Sequence, residues 1–305
     1  MQTEKVPQTE ISNGILTAKI LLPDQNNGYY QSTRFDWSGQ IESLKFSGHE
    51  YFGKWFDVYD PKIHDAILGP VDAFLPFGFD AAKPGEKFLM VGIGVLKKPD
   101  EKPWAFTRLY PVLDYGTWKV KSGKDNVKFT HVLKDKDYSY EYEKVVSLVR
   151  GKPVMQITHS LKNNGKQTVE TPCYNHNFFV INNQPVGPGY SAEFPYKISG
   201  VFRDGPELVQ ITDKKFTLKR NLVVPETIFS GGLEGTGAGD KVYDIKIENK
   251  TTGAGVRITC DKPLLKQVFW ANPFTFCPEP YITVKAAPGE TFEWTITYEF
   301  YNTGK

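Results

Sequence analysis

The sequence predicts an all-β protein folded as one β-sandwich domain, and three observations predict it. Apolar and polar residues alternate in short runs along the whole chain, clusters of Gly, Asn, Asp and Pro divide those runs, and helical periodicity is almost absent. Aromatic residues make up 14% of the 305 positions against 3 Met, which favours strands and sugar-like ligands over helical bundles. A chain of this length can bury a substantial core, and no interior stretch has a linker's composition. Residues 1–305 therefore read as a single domain, with 1–10 as a flexible N-terminal segment.

Taken in order, the strands declare themselves by which residues share a face. Leu16, Ala18 and Ile20 alternate with polar partners over 16–20, and a second run covers 41–46. A short run at 118–120 precedes 127–133, where Val127, Phe129 and Leu133 alternate, and 138–149, where Tyr138, Tyr140 and Tyr142 do. Met155, Ile157 and Leu161 share a face over 154–161. Tyr243, Ile245 and Ile247 define 242–247, Val256 and Ile258 define 255–260, and Ile282 and Val284 define 281–285. The last strand, 291–301, carries Phe292, Trp294, Ile296, Tyr298 and Phe300 on one side. Connectors at 122–126, 163–166 and 249–253 have hairpin composition. Two irregular regions, 57–88 and 182–205, are long for a compact domain and are candidate walls of a cleft.

Composition also excludes partners. Lys+Arg at 37 against Asp+Glu at 35 gives a net charge of +2, too weak a field to gather nucleic acid or anionic lipid. No run approaches the ~20 apolar residues of a membrane span. Cys173, Cys260 and Cys277 lack metal-ligand spacing and sit in apolar runs, as buried thiols do. The remaining histidines show no metal spacing, and Asp57, Asp60 and Asp65 with His64 make at most a weak calcium pattern, so no metal and no organic cofactor is expected. The glycine-rich run 231–239 reads as a turn, because it lacks the Gly-Lys-Ser/Thr of a phosphate loop. The polar N-terminus has no signal-peptide core, which leaves the cytoplasm, or the periplasm after removal of an export signal, both open.

Two motifs carry chemistry. His176 replaces a hydrophobe in the strand-like run 171–179, and Glu279 is held between Pro278 and Pro280 in Phe276-Cys-Pro-Glu-Pro-Tyr281. An imidazole and a carboxylate, each in an apolar frame, are the parts of a general acid/base pair. The two are expected to face each other across an open cleft at roughly 5 to 9 Å, the spacing of paired carboxylates around a sugar. Arg34 is a candidate clamp for a hydroxyl or carboxylate, Asn175 flanks the histidine as a candidate substrate contact, and Trp270, Trp104 and Phe274 offer faces on which a sugar could stack.

Tyr174-Asn-His-Asn-Phe178, the Cys277-Pro-Glu-Pro280 segment and Ala287-Pro-Gly-Glu-Thr-Phe292 together resemble motifs of the galactose mutarotase-like, or aldose 1-epimerase, superfamily. The resemblance implies a β-supersandwich with a shallow sugar cleft in which His176 protonates the ring oxygen and Glu279 takes the proton of the anomeric hydroxyl. It also implies that Asp240 grips sugar hydroxyls. On this resemblance, the place of the family's second histidine, roughly eight residues before a tryptophan, falls on Tyr110, eight before Trp118, so the resemblance is to a divergent member. The expected function is carbohydrate isomerisation by a monomer or weak homodimer. Two alternatives stand beside it: a non-catalytic carbohydrate-binding protein, and a polysaccharide hydrolase- or lyase-related protein on the same fold.

Overall fold

The computed structural model describes residues 5–236 and 241–304. Period-two alternation decides which side chains enter the core. In Asn126–Lys134, Val127, Phe129, His131 and Leu133 are buried, while the residues between them are partly exposed. Thr291–Asn302 buries Trp294, Ile296, Tyr298 and Phe300 in the same way.

Two large antiparallel sheets result. The first has ten strands, with Thr291–Asn302 inside it between Val154–Asn163 and Ala254–Cys260. Beyond Val154–Asn163 follow Ser139–Leu148, Asn126–Lys134 and Thr117–Ser122. The second has five strands in the order Ile228–Ser230, Lys266–Asn272, Thr275–Ala286, Val169–Asn177 and Pro70–Phe74. Trp294, Ile296, Tyr142 and Ile157 of the ten-stranded sheet meet Phe74, Cys173, Phe269, Phe276 and Ile282 of the five-stranded sheet in one continuous core. Alternation sends Val71, Tyr174, Phe178, Val268, Cys277 and Tyr281 to the opposite face of the five-stranded sheet, where they form a second apolar layer with Phe35, Trp37 and Trp55. That outer face carries the site.

A charged cluster is sealed between the sheets. Lys144 Nζ lies 2.7 Å from Asp72 and 3.3 Å from Asp36, and His159 Nε2 lies 2.9 Å from Asp72, all at 1% exposure or less. Tyr142 and Ser38 donate to Asp36. The pairing keeps the buried charges compensated.

The ten strands read from sequence all form, most within one or two residues of the expected bounds. Three expectations need correction. The segment 1–10 is ordered at its end, where Gln8–Ser12 pairs with Leu16–Leu21 and buries Ile11. Residues 163–166 do not close a hairpin: Val154–Asn163 belongs to the ten-stranded sheet and Val169–Asn177 to the five-stranded one, so the link crosses between layers. The irregular regions contain Pro70–Phe74, Tyr190–Glu193 and Lys197–Ser199. Among the described residues no helix is long and apolar enough to cross a membrane.

Candidate active site

The cleft lies on the outer face of the five-stranded sheet and has a volume of about 740 Å³, within the ~300–1,000 Å³ of small-ligand sites. Its floor comes from alternate residues of adjacent strands: Tyr174, His176 and Phe178 from one, Glu279 and Tyr281 from the next, Val268 and Trp270 from the third. The regions expected as walls contribute Asp65 and Leu75 on one side and Arg203 and Asp204 on the other, with Trp104 and Phe106 added from a third loop.

Antiparallel register brings the two key residues together. Tyr174 pairs directly with Tyr281, so two steps along each strand set His176 opposite Glu279 although they are far apart in sequence. His176 Nε2 lies 3.4 Å from Glu279 Oε1. This is closer than the expected 5 to 9 Å, because the residues are cross-strand neighbours on one sheet and not groups on opposite walls. The imidazole stacks on Phe178 at 3.8 Å and 9°, Trp55 stacks on the other face of Phe178, and Phe35 meets the imidazole edge-on. This aromatic frame fixes the ring while leaving His176 Nδ1 buried without a hydrogen-bond partner among the described residues.

Burial pushes both groups towards their neutral forms. It raises the Glu279 carboxyl to about 7, against the opposing pull of the Arg34 cation. Burial, and then the same cation, lower His176 well below its usual range. Below about pH 7 the pair thus holds one exchangeable proton, carried by Glu279, and near pH 7 about half of the molecules keep it; in that protonated form one member can donate while the other accepts.

Arg34 faces this pair. Its Nε and Nη2 donate to the Tyr174 hydroxyl at 3.3 and 3.2 Å, its Nη1 pairs with Asp65, and its guanidinium lies between Phe35 and Phe106 at 4.5 and 4.3 Å. Asp65, part of the weak calcium pattern, therefore has its carboxylate occupied by Arg34 and by His64 at 3.1 Å. Tyr174 stacks on Tyr281, and burial pushes its hydroxyl up to about 12, so it stays protonated at neutral pH.

The other sequence candidates divide. Trp270 lines the cleft with its ring 6.2 Å from that of His176, and Trp104 lines it with a buried Nε1 that has no partner among the described residues. Phe274 lines a separate groove with Val223 and Val224. Tyr110 is outside the cleft: its hydroxyl accepts the Ala105 N–H at 2.9 Å and its ring packs edge-on against Phe79 and Phe88. Counting back from Trp118 does not locate a cleft residue. Asn175 points the other way, into the core, because it alternates with Tyr174 and His176; its amide donates to Asp72 at 2.9 Å. Asp240 lies outside the described residues. Sequence reasoning did not single out Tyr174, Asp65, Arg203 or Lys266 as lining residues; Tyr174 carried a signal in its alternation with His176, Asp65 and Arg203 lie within the regions expected as walls, and Lys266 carried none.

No protein-family model and no curated protein matches the sequence. Solved structures match over nearly the whole chain. The GalM/aldose epimerase homologue from C. elegans is 14% identical over 97% of this chain and 99% of that one, with a TM-score of 0.58. A galactose mutarotase-like protein from Lactobacillus casei is 12% identical over 96% and 100%, with a TM-score of 0.57. A galactose mutarotase related enzyme from Lactobacillus acidophilus is 12% identical over 98% of each, with a TM-score of 0.58. At these identities the likeness defines the fold: the chain is a galactose mutarotase-like β-sandwich.

Proposed function

We propose that the cleft binds a sugar and that His176 and Glu279 interconvert its anomers, the reaction of an aldose 1-epimerase. The observation that carries the reading is the pair itself, an imidazole and a carboxyl 3.4 Å apart on the floor of an aromatic-lined cleft. Opening an aldose ring breaks the bond between the anomeric carbon and the ring oxygen. A proton is delivered to that oxygen, another leaves the anomeric hydroxyl, and the carbonyl forms. Rotation and the reverse steps then give the other anomer, so the enzyme is left as it began. A pair holding one proton can perform both transfers, whichever partner carries it at rest. The Arg34–Tyr174 unit is placed to orient hydroxyl groups, and Trp270 to pack against the sugar's apolar face. A position for the family's second histidine is not filled by Tyr110, so the ring is gripped differently from what the resemblance implied.

Polarimetry of freshly dissolved α-aldoses, including uronic acids and 6-phosphosugars, tests the proposal. The protein should accelerate mutarotation of at least one of them, and the rate should fall as pH rises past about 7, where Glu279 loses the shared proton. If no aldose is accelerated, the catalytic reading fails; sugar binding without turnover then identifies a carbohydrate-binding protein.

A further inference from the structure

We propose that Asn177 and Tyr298 are positioning residues that hold open a break between two strands and thereby set the separation of His176 and Glu279. The inference rests on the acid/base reading of that pair but goes beyond it to what places the pair.

The seam between Val169–Asn177 and Thr275–Ala286 is paired from Val169–Ala286 to Tyr174–Tyr281, and pairing in the same register returns as an isolated bridge at Phe179–Phe276. Between these points the ladder is interrupted, and His176 and Glu279 occupy the interruption. Both strands keep their partners on their outer sides: His176 pairs with Val71, and Glu279 with Val268. Pro278 and Pro280 supply a reason for the break, since neither has an N–H to give to the seam.

Side chains take over where the ladder stops. Asn177 Nδ2 donates to the Pro278 carbonyl at 3.0 Å, which ties the residue after His176 to the residue before Glu279. The same amide donates to the Asn175 carbonyl at 3.0 Å. Behind it, the Tyr298 hydroxyl from the ten-stranded sheet lies 2.8 Å from Asn177 Oδ1 and 2.6 Å from Asn175 Oδ1. Asn175 is in turn anchored to Asp72, which Lys144 and His159 hold. All of these groups are at most 3% exposed, on the side of the sheet away from the cleft, so none can touch a bound sugar. The two asparagines that flank His176 thus connect it, through the back of the sheet, to the buried charged cluster.

The experiment compares wild type with Tyr298→Phe and Asn177→Leu, reading ring ¹⁵N shifts of His176 in histidine-labelled protein alongside kcat, KM and thermal melting. Tyr298→Phe removes one hydroxyl and keeps the ring, so it serves if Asn177→Leu fails to fold. A positioning role predicts shifted His176 ring resonances in a folded variant, with kcat lowered by about tenfold or more and KM changed less than twofold, since small misplacements can cost on the order of 10² in rate. Unchanged His176 resonances in folded Tyr298→Phe, or a kcat equal to wild type, would overturn the proposal. If the wild type turns over no aldose, the functional reading falls, and the His176 resonances alone then decide the positioning role.

Discussion

Replacing Glu279 by Gln should stabilise the protein at alkaline pH while removing its proposed chemistry. An unfolded glutamate ionises near its ordinary value of 4.5, whereas burial raises the folded group to about 7. The folded state therefore holds its proton more tightly, and stability is lost as pH rises from about 4.5 through about 7. A shift of about 2.5 units at about 1.36 kcal/mol each corresponds to roughly 3 kcal/mol, charged in full above pH 7 and absent below pH 4.5. The amide keeps the shape and never ionises. For 305 residues with an unfolding entropy of about 2.1 cal/mol/K per residue, 3 kcal/mol corresponds to about 5 °C in Tm. Melting both proteins at pH 4.5 and pH 8 isolates this one group. The Tm difference should be near zero at pH 4.5 and about 5 °C in favour of the variant at pH 8. An equal difference at both pH values would refute the placement of a carboxyl strained by burial.

Two further substitutions probe other parts of the structure. Lys144→Met leaves Asp36 and Asp72 without their shared cation and should cost about 3–5 kcal/mol, or about 5–8 °C in Tm; a change under 1 °C would mean that the sealed cluster is not charge-balanced by Lys144. Tyr110→Phe removes the hydrogen bond to the Ala105 N–H and should cost about 0.5–1.5 kcal/mol of stability with sugar affinity unchanged, whereas weakened sugar binding would return Tyr110 to the cleft.

Much of the fold was legible because period-two alternation survives in single strands, as in Val127, Phe129 and Leu133. What escaped was structure that local pattern cannot encode. Pro70–Phe74 is buried along its whole length, so it lacks alternation and its proline argues against a strand. Pro278 and Pro280 likewise hid the first half of Thr275–Ala286, including Glu279. The site was half legible. His176 and Glu279 were visible as polar groups in apolar settings, but their contact depends on a register that only the assembled sheet defines. Asn175 turns into the core although its neighbour His176 lines the cleft, since adjacent residues on a strand face opposite ways. Tyr110 was misplaced because a spacing carried over from a distant resemblance did not locate a cleft residue; Arg203 was marked only as part of the long region 182–205, and nothing local marked Lys266.

The most direct test of the central claim is exchange NMR between the α and β anomers of a sugar that the protein binds, with wild type and Glu279→Gln at equal saturation. The account predicts rapid exchange with wild type and a loss of about 10²- to 10⁴-fold with the variant, binding being retained. Exchange at the wild-type rate in Glu279→Gln would contradict the assignment of His176 and Glu279 as the pair that moves the protons.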